Sequence, residues 1–218
     1  MASRLFSVHV LDIVRRRVSD AIPDIRADES MVVQRVDGGD LIALAARVGV
    51  HPLILPLSKV PAIDRLATAR RLRRFRSRLA KGHVAYVATK GDDVAGWMWS
   101  SNTRLYRDRW IGLKLHLEAD EGYLYDFWVS PAFRRSGVGA FITAETLRDL
   151  QCDGRMQWVY GWIDRDNKPN QMLLRVVFGF ESVQSVKCMR VLVAFARVLP
   201  RSATPREGPC ARTRVRSW

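Results

Sequence analysis

Apolar and polar positions change period several times along the chain, and each change marks an element. Met31 to Val36 (MVVQRV) is a compact β-type run. Gly38, Gly39 and Asp40 then open a helix whose apolar positions Leu41, Leu44, Ala45 and Val48 recur at helical spacing until Gly49 stops it. Residues 51 to 60 carry two prolines and read as a connecting segment. From Ala62 to Lys81, the residues Ile63, Leu66, Leu72, Phe75 and Leu79 keep near one stripe, predicting a strongly basic amphipathic helix closed by Gly82. The first 30 residues show no clean periodicity and are expected to form a short helix followed by a linker.

After Gly82 the period shortens. His83 to Thr89 and Val94 to Ser100 are β-rich runs separated by the turn-forming Lys90-Gly91-Asp92-Asp93, which predicts a hairpin. A second strand pair is expected from Ile111 to Leu117 and Tyr123 to Val129, joined through the acidic turn 118 to 122. Gly137 to Leu150 then reads as a helix, Gln157 to Ile163 as a strand, Asn170 to Phe178 as a short helix, and Glu181 to Phe195 as one or two final strands. Strand, helix, strand makes a crossover, so this last part of the sheet should be parallel. The expected organisation is an N-terminal extension over 1–30, one α/β domain over 31–199, and a disordered basic tail over 200–218.

Composition narrows the picture modestly. The 218 residues are 48% apolar, enough for one sizeable core. No apolar stretch approaches the roughly 20 residues of a bilayer-crossing helix, and the basic cluster Arg15-Arg16-Arg17 follows the apolar start instead of preceding it, so a soluble, cytoplasmic protein is expected. Cys152, Cys188 and Cys210 are odd in number and show no C-x-x-C spacing; the four histidines are scattered. No disulfide framework and no metal site are therefore expected. The net charge of +14 attracts anions of every kind, from nucleotides to nucleic acid, and nucleic acid is not favoured over a solvated helix face and a basic tail.

The most informative stretch is Asp126 to Ala140, DFWVSPAFRRSGVGA, in which a strand runs through Ser-Pro into an arginine and glycine turn and straight into a helix. Gly137 and Gly139 let backbone approach a ligand closely, and the unpaired N–H groups of the helix's first turn point to the same place. An anionic phosphate suits that geometry, aided by the positive helix end and by Arg134 and Arg135. Neither the Walker nor the Rossmann pattern fits, since no Gly-Lys-Ser/Thr is present and the turn lies after several antiparallel strands.

The run from Val129 to Gly139, VSPAFRRSGVG, resembles the donor motif of the GNAT acetyltransferases: a strand valine, a proline, then R/Q-x-x-G-x-G/A. Downstream, Asn167-Lys168-Pro169-Asn170, an apolar helix and Gly179-Phe180 are similar to that family's asparagine, short helix and Gly-Phe element. The resemblance implies a mixed, mostly antiparallel sheet flanked by helices and splayed at its fourth and fifth strands. It further implies that Phe127, Trp128 and Val129 offer backbone groups to the pantetheine and acetyl carbonyl of acetyl-CoA. Arg134, Arg135, Ser136, Gly137, Val138, Gly139 and Ala140 would wrap the pyrophosphate, and Asn167 or Asn170 would touch the CoA arm.

The activity so implied is transfer of an acetyl group to a primary amine of a small molecule or protein, with no metal. Such a reaction needs a neutral nitrogen, donors for the developing oxyanion and routes for protons. Asp126 is the leading base candidate because it directly precedes the donor segment; by alternation it shares a face with Leu124 and Trp128. The family's tyrosine is missing from Leu173 to Phe178, which leaves Tyr160, a water or nothing as general acid. Trp97, Trp99, Tyr106 and Trp110 are candidates to line an acceptor pocket, or else core. The alternatives are a catalytically silent CoA-binding module that contacts nucleic acid or a protein partner, and an acyltransferase of cell-surface polysaccharide synthesis. A monomer and a homodimer are both compatible with the sequence.

Overall fold

The computed structural model describes residues 6–26, 28–38, 69–91, 93–108, 113–191, 194–195 and 199–200. The chain divides into two compact units. The first is made from residues 1–21, 102–123 and 155–218, the second from residues 22–101 and 124–154. The fold as a whole is mixed α/β, a mostly antiparallel sheet flanked by few helices.

In the first unit the strand β1 (Phe6–Arg17) lies between β8 (Trp158–Asp164) and β9 (Glu181–Val191), antiparallel to both. Short strands β10 (Ala194–Phe195) and β11 (Leu199–Pro200) pair with β9. The expected N-terminal helix is thus a strand. Its period is masked because two charged residues occupy buried positions among Leu11, Ile13 and Val14. Asp12 accepts hydrogen bonds from Arg165, Arg175 and Ser185, and Arg16 donates to the carbonyls of Asp20 and Ala21. Burial pushes the Asp12 carboxyl up, but the Ser185 hydroxyl and the two guanidiniums outweigh it and hold the group below the usual carboxylate range.

The expected pairing of Ile111–Leu117 with Tyr123–Val129 is also corrected. Strand β6 (Leu113–His116) pairs with β5 (Leu105–Asp108) in a separate hairpin, and the Leu117 N–H donates to the Arg104 carbonyl. Strand β7 (Glu121–Val129) opens in the first unit, where Glu121, Gly122 and Tyr123 run parallel to Trp158, Val159 and Tyr160 of β8, as the crossover predicts.

In the second unit the rest of β7 is followed in the sheet by β4 (Asp93–Ser101), β3 (Val84–Lys90) and β2 (Met31–Val36). The hairpin predicted around Gly91 is β3–β4, and β2 matches its predicted bounds. Helix α1 (Ala69–Leu79) is the visible end of the predicted basic helix, and its closing glycine, Gly82, has φ 77° with its N–H on the Leu79 carbonyl. The helix predicted after Gly38 and residues 62–68 lie outside the described residues. Helix α2 (Val138–Asp153) follows β7 and ends at Gly154, φ 67°. Val94 to Ser101 of β4 are all buried because both of its faces are covered: Trp97 and Trp99 meet Phe75 of α1, while Gly96 faces Ile142 of α2.

Candidate active site

The pairing of β7 with β8 stops at Tyr123, and among the described residues of the second unit the rest of β7 is bonded to β4 alone, so its last residues form a sheet edge there. That edge is anchored by the Ser130 N–H, which donates to the Ala95 carbonyl at 2.8 Å. β7 and α2 also approach β4 closely. A Cβ on Gly96 would lie 2.6 Å from the Trp128 carbonyl oxygen and 2.9 Å from Ile142 Cδ1, so only glycine fits there. Trp128 is stacked on Trp97, with centroids 4.4 Å apart.

Asp126 interrupts the strand. Its φ of 48° lies in the left-handed region, uncommon for a residue with a side chain, and the regular alternation expected along β7 ends there. Leu124 and Tyr125 are both buried, Asp126 is exposed, and Phe127, Trp128 and Val129 are half-buried. The twist turns the Asp126 carboxylate to the Arg78 guanidinium of α1, with which it forms an ion pair. Arg78 in turn lies over the rings of Trp99 and Tyr125, 5.0 and 4.8 Å from their centroids. The Tyr125 hydroxyl is hydrogen-bonded to His83 Nδ1. Burial, with a smaller contribution from the Asp126 charge, pushes the Tyr125 phenol up against the opposing Arg78 charge. Burial and the Arg78 and Lys81 charges bring His83 down to about 4, so the imidazole is neutral.

Arg78, His83 and Tyr125 were not site candidates on sequence. Arg78 carried a signal nonetheless: three residues after Phe75, it falls on the helix's apolar stripe, an unusual place for an arginine that has no partner in the fold.

Beyond β7 the chain makes a single 3-10 turn, Pro131–Phe133, and then the arginine and glycine turn. Arg135 has φ 66° and Gly137 φ 82°. The Ser136 hydroxyl donates to the Phe133 carbonyl, and Arg134 Nε reaches the Val129 carbonyl at 3.4 Å. Gly137 is the N-cap of α2 and no side chain caps the helix, which leaves its first N–H groups to an outside acceptor. Arg134, Arg135, Ser136 and Gly137 are exposed, Gly139 and Ala140 half-buried, and Val138 is buried as the anchor of the first turn. The structure therefore brings Asp126, Phe127, Trp128, Val129 and residues 134 to 140 together on one edge: an exposed carboxylate, open strand backbone and an uncapped cationic helix start.

The comparison with known families decides what this arrangement belongs to. The profile described as the Acetyltransferase (GNAT) family matches residues 58–180, more than half of the chain. The chain belongs to the GNAT acetyltransferase family. A tandem GNAT protein from the clavulanic acid biosynthesis pathway is similar in fold, with a TM-score of 0.54 at 15% identity over 84% of this chain and 54% of that one. A GCN5-related N-acetyltransferase from Sphaerobacter thermophilus gives a TM-score of 0.49 at 16% identity over 84% of this chain and 52% of that one. The chain thus spans little more than half the length of either structure. No curated protein matches it.

The remaining GNAT-motif residues lie in the first unit. Asn167 is the N-cap of the short helix α3 (Lys168–Gln171), its side-chain oxygen accepting from the Asn170 N–H at 3.3 Å. Asn170 Oδ1 is buried and has no hydrogen-bond partner among the described residues. The chain continues through one π-helical turn, Met172–Val177, into Gly179, φ 66°. Tyr160 is 1% exposed and its hydroxyl donates to Glu121 Oε1 at 2.8 Å.

Of the aromatic residues considered for an acceptor pocket, Trp97 and Trp99 are buried against Phe75, Tyr106 lies tilted on Tyr123 with ring centroids 4.3 Å apart, and Trp110 lies outside the described residues. Among the described residues no three His, Cys, Asp or Glu side chains gather as a metal would require, and no helix is long and apolar enough to cross a membrane.

Proposed function

We propose that this GNAT protein transfers an acetyl group from acetyl-CoA to a primary amine of a small molecule or protein. The observation that carries the reading is the turn from Arg134 to Gly137. Two left-handed residues, Arg135 and Gly137, on either side of Ser136, deliver an uncapped helix N-terminus beside two exposed guanidiniums, one 3-10 turn after the strand edge. Arginine forks, backbone N–H groups and the helix dipole all favour a pyrophosphate there. The open edge of Phe127 to Val129 supplies N–H and C=O groups that suit an amide-bearing arm and can receive the oxyanion of a thioester under attack. Of the two asparagines, Asn170 is the candidate for the CoA arm, since its oxygen has no hydrogen-bond partner among the described residues while that of Asn167 already caps α3.

In this reading the amine nitrogen forms a bond to the acetyl carbonyl carbon, the carbon–sulfur bond breaks, and the CoA thiol leaves. Asp126 receives the amine proton. Tyr160, buried against Glu121, serves as general acid only if that hydrogen bond opens; water is the simpler donor to the leaving thiolate.

One observation favours a second reading, a catalytically silent CoA-binding module. Arg78 competes with any substrate proton for the Asp126 carboxylate. A thiol-release assay with acetyl-CoA across a panel of amines separates the two. Turnover of any amine supports the transferase, and saturable CoA binding with no turnover across the panel supports the silent module.

A further inference from the structure

The cations of the second unit fall into two groups. Arg26, Arg35, Arg78, Lys90 and Arg148 each pair with a carboxylate. Among the described side chains, the cations without a carboxylate partner lie in two places. Arg134 and Arg135 flank the donor turn, where a pyrophosphate accounts for them. Arg73, Arg74, Arg76 and Lys81 lie on α1 and the turn that closes it, and the donor reading leaves them unexplained.

Their placement is specific. Arg74 stands one helical turn before Arg78, on the same side of α1, and Lys81 follows in the turn that closes the helix, its N–H on the Arg78 carbonyl and its charge, like that of Arg78, acting on His83. Arg78 holds Asp126; Arg74 and Lys81, before and after it in the chain, are exposed. The described part of α1 has no acidic residue that could neutralise them. Whatever amine comes to Asp126 meets uncompensated positive charge on both sides of Arg78. A polycation would be repelled there. An amine that also bears a negative group would be drawn in and oriented, because its anion is attracted to Arg74 or Lys81 while its nitrogen faces the carboxylate.

We propose that the acceptor is a small amine carrying an anionic group, phosphate or carboxylate, and that Arg74 and Lys81 select it. The inference rests on the transferase reading and names its substrate class.

The test compares matched acceptors with the full chain: glucosamine 6-phosphate against glucosamine for phosphate, β-alanine against β-alaninamide for carboxylate, and spermidine as a polycation. Thiol release gives kcat/KM, and calorimetry on the protein saturated with CoA gives affinity where no turnover occurs. The expected result is an advantage of about tenfold or more for at least one anionic member at about 0.01 M ionic strength, where the Debye length is about 30 Å. That advantage should collapse at about 1 M, where it is about 3 Å. In Arg74→Gln/Lys81→Gln, whose side chains are exposed, the advantage should fall to about threefold or less while CoA affinity stays within about twofold.

Equal or better use of spermidine or the neutral members overturns the proposal. So does an anionic preference that survives the double substitution, or CoA binding with no response to any anionic amine. Failure to bind CoA at all would instead bring down the donor-site reading.

Discussion

At the scale of single residues, the site depends on Asp126 standing in a left-handed conformation between the buried Tyr125 and the half-buried Phe127, with Arg78 as its charged partner. Asp126→Asn keeps the shape and much of the hydrogen bonding but removes the basic form. It is expected to lower turnover by about 10²-fold or more and to leave CoA affinity within about twofold. The loss should be largest at lower pH, where more of the amine must give up a proton. Steady-state kinetics across pH beside a CoA titration checks this, and weak CoA binding with unchanged turnover at saturation would make Asp126 structural.

His83 gives a second residue-scale prediction. Folded, its pKa is about 4; unfolded, it is near 6.5. Between those values the unfolded chain binds a proton that the folded chain does not, so stability is at its full value above about pH 6.5 and falls as pH is lowered towards 4, by up to about 3 kcal/mol. His83→Gln should flatten that acid slope in urea midpoints measured from pH 7 to 4, at a cost of about 1 kcal/mol at pH 7 for the altered contact with Tyr125. An unchanged slope would mean that another group sets the acid limb.

At the scale of elements, legibility followed how local each determinant was. The strands β2 to β4, helix α2 and strand β8 are set by short-range period and by turn residues such as Gly91 and Gly154, and the sequence reading found them. β1 was missed because Asp12 and Arg16 sit where apolar residues were expected. The partners that make Asp12 tolerable, Arg165, Arg175 and Ser185, are more than 150 positions away in the chain. The β6–β7 pairing was wrong because a short acidic turn fits a hairpin equally well as it fits a link between different sheets.

The donor motif was readable since its chemistry is backbone chemistry signalled by glycines. The twist at Asp126 and the reach of Arg78 were not, because a single positive φ at an aspartate and a contact between residues 48 positions apart leave no mark on the local period. Gly96 shows the same dependence: its role is to let Trp128 and Ile142 come close. Gly96→Ala is expected to destabilise the fold by about 1–3 kcal/mol through overpacking, measured as a lowered urea midpoint. No change in midpoint would mean that β4, β7 and α2 yield easily.

For the whole molecule, charge and donor recognition are separable. The basic residues after Pro200 lie outside the described residues, and β11 ends at that proline. A chain ending at Pro200 is expected to keep its CoA affinity within about twofold in calorimetry while its binding becomes less salt-sensitive, since long-range attraction is screened and short-range hydrogen bonds much less so. A loss of affinity at low salt beyond that would make the C-terminal residues part of the donor site.

The central claim is that the turn before α2 holds the pyrophosphate of acetyl-CoA, and its most direct test is a calorimetric titration of acetyl-CoA into the full chain and into Gly137→Val. Gly137 has φ 82° and open space where a Cβ would go, so the obstacle to valine is the backbone: a β-branched residue cannot easily hold the left-handed turn that aims the helix N-terminus. The account predicts saturable binding to the unsubstituted chain and binding weakened about tenfold or more in Gly137→Val, with the circular dichroism spectrum unchanged. Equal affinity in a folded Gly137→Val protein would contradict it.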